Sequence, residues 1–298
     1  MRLFVIGSEG QVARSLRSTA SQFEQVKLFH TGRSQFDLRM PHSIEAWIKE
    51  YRPDALINPA AYTSVENAER DSKEAFVINR DGVGVVAAVA ARFDIPIIHL
   101  STDYVFDGRK KTPYLESDTP NPLNVYGQSK LAGEFAVKAA NPKHVILRTG
   151  WVYSDSGSNF VRTVLGLMEN GTPLRIIDDQ RGCPTCATDI AEAIITIALR
   201  VQDWKPTYGG VTHLVGPDSV TWYDFAKKIV ALAVAKGWLA VPVNAISTSE
   251  YLTAAVRPAN SCLATDRLAS TFGICLPPLE ASLSTCVDRL LQGDRRAN

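Results

Sequence analysis

The sequence predicts an α/β fold: a doubly wound parallel sheet followed by a smaller C-terminal α/β lobe. Three observations predict it. Short apolar runs alternate with longer amphipathic stretches through residues 1–150. The first run ends in a glycine turn that opens directly into a helical pattern. The chain has 298 residues, 45% of them hydrophobic, which exceeds what one such sheet needs at roughly 100 to 200 residues per domain.

The apolar runs Arg2 to Gly7, Gln25 to Phe29, Ala55 to Asn58, Pro96 to Leu100 and Val145 to Leu147 read as strands. Helical periodicity falls at Gln11 to Ser21, Ser43 to Tyr51, Ser72 to Phe93 and Tyr126 to Ala139. Continuous apolar strands joined by crossover helices imply a parallel sheet covered on both faces, with ligands beyond the carboxyl ends of the strands. After Gly150 the rhythm loosens. Asn159 to Asn170, Thr188 to Val201 and Thr221 to Lys236 read as helices, Val211 to Val215 as a strand, and Val241 to Pro278 as a tail rich in Pro, Ser and Thr. Trp204 to Gly210, with Pro206, Gly209 and Gly210, reads as a crossing between lobes. The expected division is a nucleotide-binding domain over 1–150, with part of 172–202 packing on it, and a substrate lobe mainly over 151–298.

Composition excludes several classes. Lys and Arg number 32 against 31 Asp and Glu, a net charge of +1, so no basic field invites nucleic acid. Mean hydropathy is −0.05, and no apolar run approaches the ~20 residues of a membrane-spanning helix. Met1-Arg2 runs straight into an apolar strand, which predicts no signal peptide. The five cysteines are few and odd in number, and are expected to be reduced thiols of a cytoplasmic protein. Cys183-Pro184-Thr185-Cys186 has redox or half-zinc spacing, but the further ligands and context are missing, so these read as structural thiols. No metal site is predicted from spacing.

The first strand runs into Gly7-Ser8-Glu9-Gly10-Gln11-Val12-Ala13. Gly7 permits the tight turn, Gly10 lets backbone approach a pyrophosphate, and small Ala13 lets the helix pack on the sheet, while the helix N-terminus offers N–H groups and a positive dipole end. This is the Rossmann-type arrangement. NAD sites place an acid about 20 residues on to hold the adenosine ribose. Here the second strand ends in Phe29-His30-Thr31-Gly32-Arg33, with no acid, and Arg33 can turn a guanidinium toward a 2′-phosphate. NADPH is therefore expected over NADH. Asp37 could reach the adenine amino group and Leu38 cover its ring. After the third strand, the small residues of Asn58-Pro59-Ala60-Ala61-Tyr62-Thr63 let a dinucleotide lie flat, with amide contacts from Ala60, Ala61 or Thr63 because Pro59 has none to give.

Tyr126 and Lys130 in Tyr-Gly-Gln-Ser-Lys stand four residues apart on one helix face. A neighbouring ammonium is expected to favour the phenolate of a tyrosine whose free pKa is near ~10. The fourth strand ends in His99-Leu100-Ser101-Thr102-Asp103-Tyr104, delivering the Thr102 hydroxyl to the same sheet edge. A hydroxyl to orient a carbonyl, a phenol to protonate it and a lysine to tune the phenol make a hydride-transfer site. His99 reads as a strand residue, and Trp222-Tyr223 beside Phe225 as core.

The motifs GSEGQVA, NPAAYTSVENAE, STDYVFDG, YGQSKLAGE, RTGWVY, DDQRGCPT and RPANS, in this order through nearly the whole chain, resemble the dTDP-4-dehydrorhamnose reductases, a family of extended short-chain dehydrogenases/reductases. The resemblance implies reduction of the 4-keto group of dTDP-4-dehydro-L-rhamnose, the last step toward the dTDP-L-rhamnose used in bacterial surface polysaccharides. It implies Tyr126 as proton donor, Lys130 as its partner and Thr102 as the carbonyl-orienting hydroxyl. Asp103, Tyr104 and Trp151 would contact the sugar, with Asn159, Arg257 and Ser261 on the nucleotide-sugar side. Gly7, Gly10, Gln11, Val12, His30, Arg33, Asp37, Leu38, Ala60, Ala61 and Thr63, with Tyr126 and Lys130, would line the dinucleotide. Ala13 replaces the loop's usual third glycine, and His30 stands where some members carry an acid, which again favours NADPH. Some members form homodimers around Mg²⁺ held by acidic residues; no acidic set here is matched to that site.

Two alternatives stand beside this reading, one of the same fold class and one of a different functional class. A 4,6-dehydratase or 4-epimerase shares the fold, but dehydratases carry Asp-Glu after the threonine, and here Tyr104 follows Asp103. A cofactor-binding regulatory subunit also shares the lineage, and an intact Thr102, Tyr126 and Lys130 set argues for catalysis.

Overall fold

The structure is a computed structural model that describes residues 1–294. The first half contains β1 (Arg2–Ile6), α1 (Gln11–Ala20), β2 (Lys27–Thr31), α2 (Ile44–Tyr51), β3 (Ala55–Asn58), α3 (Val65–Ala68), α4 (Ser72–Phe76), α5 (Val83–Arg92), β4 (Ile97–Thr102), α6 (Val125–Ala140) and β5 (His144–Thr149). There follow β6 (Val152–Tyr153), α7 (Phe160–Glu169), β7 (Leu174–Ile177), β8 (Arg181–Gly182), β9 (Thr185–Cys186), α8 (Ala187–Val201), β10 (Gly210–His213), β11 (Val220–Thr221), α9 (Trp222–Ala235), β12 (Val243–Ile246), α10 (Asp266–Phe272) and α11 (Leu279–Asp294).

Six strands form one parallel sheet in the order β2-β1-β3-β4-β5-β10. The chain winds outward in both directions from β1, so its topological switch point lies between β1 and β3, where a ligand crevice opens at the carboxyl ends. Strands β3, β4 and β5 are buried throughout, as residues covered by helices on both faces must be. One face packs Leu3, Val5, Ile57 and Leu147 against α1 and the alanine- and isoleucine-rich α8, together with Leu268 and Phe272 of α10. The other face packs Phe4, Ile6, Leu56 and Ile97 against α2 and α5. Each such side chain gains on the order of 1.5–3 kcal/mol by burial.

Two expectations change here. Trp204 to Gly210 joins α8 to β10, both of which pack on the main sheet, so it is not a crossing between lobes. The helix expected over Ser72 to Phe93 contains a π-helical turn, Val77–Gly82, between α4 and α5. The turn fits against neighbouring backbone: a Cβ at Gly82 would stand 2.1 Å from the Leu38 carbonyl oxygen.

Helices α7, α9 and α11 build a second core around Phe225, Ile229, Val164, Leu283 and Val287. The Pro-, Ser- and Thr-rich tail contains β12 and α10. Val105, Phe106, Tyr114, Val215 and Leu263 form a smaller cluster of their own, with Cys183 and Cys262 among them, while Cys186 and Cys286 lie in the second core. All five cysteines are free thiols, and Cys183 faces Cys262 rather than Cys186. Among the described residues no helix is long and apolar enough to cross a membrane, and no group of three or more His, Cys, Asp or Glu side chains converges as a metal site.

Candidate active site

A cleft of about 930 Å³ runs along the carboxyl edge of the sheet, walled by the ends of β1, β3, β4 and β5. At its floor Gly7 has φ +101°, a conformation that favours glycine, and a Cβ there would touch Ala60 Cβ at 3.5 Å. Gly10 faces open space where its Cβ would be, and no side chain caps α1. The first N–H groups of α1 are left to an anion from outside the chain, which fits a dinucleotide pyrophosphate. Gln11 and Val12 continue this wall; Gln11 Oε1 accepts from Ser154 Oγ at 2.7 Å.

At the other end, Asn124 caps α6 by accepting the Gly127 N–H at 2.8 Å, which fixes the first turn carrying Tyr126. Gly127 lets the helix approach Tyr104 so closely that a Cβ would stand 2.2 Å from its carbonyl oxygen. One turn on, Lys130 is 2% exposed, and Nζ donates to the Leu100 carbonyl at 2.6 Å. Thr102 Oγ donates to Asp103 Oδ1 at 3.1 Å. Tyr104 meets Tyr126 edge to face, with centroids 6.0 Å apart.

The electrostatics correct one expectation. Burial pushes the Tyr126 phenol up to about 12, with the Thr102 hydroxyl pulling it back and the Asp103 charge adding to the rise. Desolvation outweighs the attraction expected of a nearby ammonium, and Tyr126 keeps its proton. Burial brings Lys130 down to about 8, against the pull of Glu134. Asp103 rises to about 6 for the same reason, although Ser261 and Thr102 favour its ionised form; its Oδ2 has no hydrogen-bond partner among the described residues.

The cleft brings together Gly7, Gly10, Gln11, Val12, Arg33, Asp37, Leu38, Ala60, Ala61, Thr63, Thr102, Asp103, Tyr104, Tyr126, Lys130 and Trp151. Asp37 is committed to Arg39, whose guanidinium binds both carboxylate oxygens and holds the group below its usual range. His30, Asn159, Arg257 and Ser261 are not part of the wall. His30 is exposed on the edge strand β2. Asn159 caps α7 and donates to the Ser154 carbonyl at 2.9 Å. Arg257 pairs with Glu66 at 2.7 Å, and Ser261 is buried behind Asp103.

The family described as RmlD substrate binding domain matches residues 1–292. The chain belongs to this family. It is 46% identical to a dTDP-4-dehydrorhamnose reductase of Sinorhizobium fredii over 98% of both chains. It is 36% identical to that of Escherichia coli K12 over 97% of this chain and 98% of the other. Among solved structures, a dTDP-4-dehydrorhamnose reductase of Bacillus anthracis in complex with NADP superposes with a TM-score of 0.89 at 32% identity, covering 96% of this chain and 98% of that one. A dTDP-glucose 4,6-dehydratase from the same organism, at 15% identity and TM-score 0.81, shares the fold.

Two residues of this RmlD-family site escape a reading of the sequence. Asn79, fully buried in the π-helical turn, accepts the Tyr62 N–H at 2.8 Å and donates to Ser129 Oγ at 2.9 Å, tying the loop after β3 to α6. Its signal was a polar residue inside an otherwise apolar helical face. Trp222, read as core, lines the cleft stacked on Trp151. Its position at a helix start looks the same in sequence whether it faces a core or a cavity.

Proposed function

We propose that this chain catalyses the NADPH-dependent reduction of the 4-keto group of dTDP-4-dehydro-L-rhamnose to dTDP-L-rhamnose. The observation that carries this is the convergence of Thr102, Tyr126 and Lys130 in the cleft that also holds the uncapped α1 glycine turn, in a chain of this family. NADPH, when bound, supplies the hydride. Tyr126, held protonated by burial, gives its proton to the carbonyl oxygen as the C4 carbon is reduced, and recovers one from solvent. Thr102 Oγ supplies a second donor at that oxygen. Lys130, anchored on the Leu100 carbonyl one helical turn from Tyr126, is the cation that would favour the departing proton.

Arg33, exposed on the cleft wall, is suited to a 2′-phosphate and supports NADPH over NADH. Trp151 and Tyr104 stand as the sugar's neighbours. A dehydratase reading lacks its second acid, because the position after Asp103 is Tyr104, whose phenol burial drives upward. Five free thiols are consistent with a cytoplasmic setting. The test is to supply NADPH with dTDP-4-dehydro-L-rhamnose and identify the product by NMR. Formation of dTDP-L-rhamnose is expected; a dehydrated or epimerised product, or none with NADPH still bound, overturns the reading.

A further inference from the structure

Tyr126, Lys130 and Glu134 follow one another at four-residue steps along one face of α6. The first two line the cleft, and Glu134 lies deeper, 4% exposed. Its Oε1 accepts from Arg148 Nε at 2.9 Å and from Ser101 Oγ at 2.5 Å, and its Oε2 accepts from Arg148 Nη2 at 2.7 Å. Ser101 and Arg148 sit opposite each other in the β4–β5 register. Ser101 also lies between Leu100, whose carbonyl receives Lys130, and Thr102.

Arg148 is 3% exposed, and its guanidinium lies 5.0 Å from the centre of the Phe106 ring. A strut between α6 and the sheet needs no charges, since apolar side chains of similar volume often hold such a position as well or better. Fold stability is therefore a weak account of a desolvated bidentate pair one turn behind Lys130.

We propose that Glu134, held by Arg148 and Ser101, is a positioning residue for the reaction: its carboxylate sustains the cationic form of Lys130 and fixes the end of β4 that carries Thr102. This rests on the reading of Tyr126 and Lys130 as the proton-transfer pair. Glu134 on α6 and His99 on β4 interact electrostatically with Lys130; Tyr126 on α6 and Asp103 just past β4 share the cleft wall with it, and Arg148 on β5 binds Glu134. His99 is fully buried, and desolvation together with the Lys130 charge keeps it neutral. Arg148 is matched by Glu134. Burial alone disfavours the Lys130 ammonium, and Glu134 opposes that penalty.

The pair makes opposite predictions for its two halves. Glu134→Gln leaves Arg148 as an uncompensated buried cation and lowers the Lys130 titration midpoint by about one unit. Arg148→Met leaves Glu134 uncompensated and raises the midpoint by a similar amount. The double variant carries neither charge, and its midpoint lies between those of the two single variants. The measurement is ¹³C NMR of protein labelled at lysine Cε, without cofactor or substrate, the Lys130 resonance being identified by its loss in Lys130→Met. In wild type and Glu134→Gln, the alkaline limb of the kcat profile is expected to move with that midpoint, and Glu134→Asp to restore part of it.

Midpoints that stay within about 0.2 units of wild type, or that shift in the same direction in both single variants, overturn the proposal and leave the pair a structural strut. Should Glu134→Gln fail to fold, Arg148→Met and the double variant still decide the sign: a midpoint in Arg148→Met that is not above both wild type and the double variant overturns the proposal. Because no substrate is present, an error in the substrate assignment leaves this titration untouched.

Discussion

Trp151 and Trp222 stack face to face, with ring centroids 3.4 Å apart and planes 4° from parallel. Trp151 takes a left-handed backbone, φ +50°, just beyond β5, and its indole fills the space over Gly182, where a Cβ would stand 2.2 Å from Nε1. Phe160 backs Trp222 at 4.7 Å. The second core thus fixes an aromatic wall in the cleft, where the sugar is proposed to bind. Trp222→Ala removes one face of this wall. The KM for the nucleotide sugar is expected to rise on the order of tenfold while the Kd for NADPH is unchanged, as read by steady-state kinetics and fluorescence titration.

Helix α6 begins under three constraints. Asn124 caps Gly127 N–H and donates to the Val256 carbonyl at 2.8 Å, and Glu69 Oε1 accepts the Val125 N–H at 2.8 Å. Asn124→Ala is expected to cost about 1 kcal/mol. It should lower kcat as well as the melting temperature, because the turn it loosens carries Tyr126. A thermal scan with parallel kinetics measures both.

Two buried groups give the pH dependence its sign. The Asp103 carboxyl is raised by burial to about 6 in the fold, so its contribution to stability is full below pH ~4 and is lost as pH rises through 6. The stability of wild type relative to Asp103→Asn should therefore fall between pH 4 and 7 in denaturant titrations. Lys130, lowered to about 8, loses its proton above that pH, and kcat should decline there.

Arg33, just after β2, is an exposed cation on the cleft wall. Arg33→Ala should weaken NADPH on the order of tenfold or more with little effect on NADH, as charge-assisted phosphate contacts are lost. Equal losses for the two cofactors would remove the 2′-phosphate argument.

The sheet and its glycine turn were legible because both depend on local pattern: apolar runs of strand length, and Gly7 and Gly10 at a strand-to-helix junction. The π-helical turn at Val77–Gly82 was not, because one extra residue in a turn barely disturbs apolar periodicity. Val211 to Val215 read as a strand and Gly210–His213 forms one, but its pairing with β5 is a long-range contact that no local signal fixes. The four-residue spacing that brings Tyr126 and Lys130 to one cleft was legible, yet the direction of the phenol's shift was not, since it is set by burial that only the assembled cleft supplies. Trp222 was missed for a related reason: which side of an aromatic ring meets empty space is decided by the packing of α9, not by its sequence.

Tyr126 is proposed as the proton donor of a reductase acting on dTDP-4-dehydro-L-rhamnose. Loss of NADPH absorbance with that substrate, compared between wild type and Tyr126→Phe, tests it most directly. Turnover by wild type and a loss of about 10²- to 10⁴-fold in the variant are expected, with NADPH still bound by both. Equal rates for the two proteins, or no turnover by a wild type that binds NADPH, would contradict it.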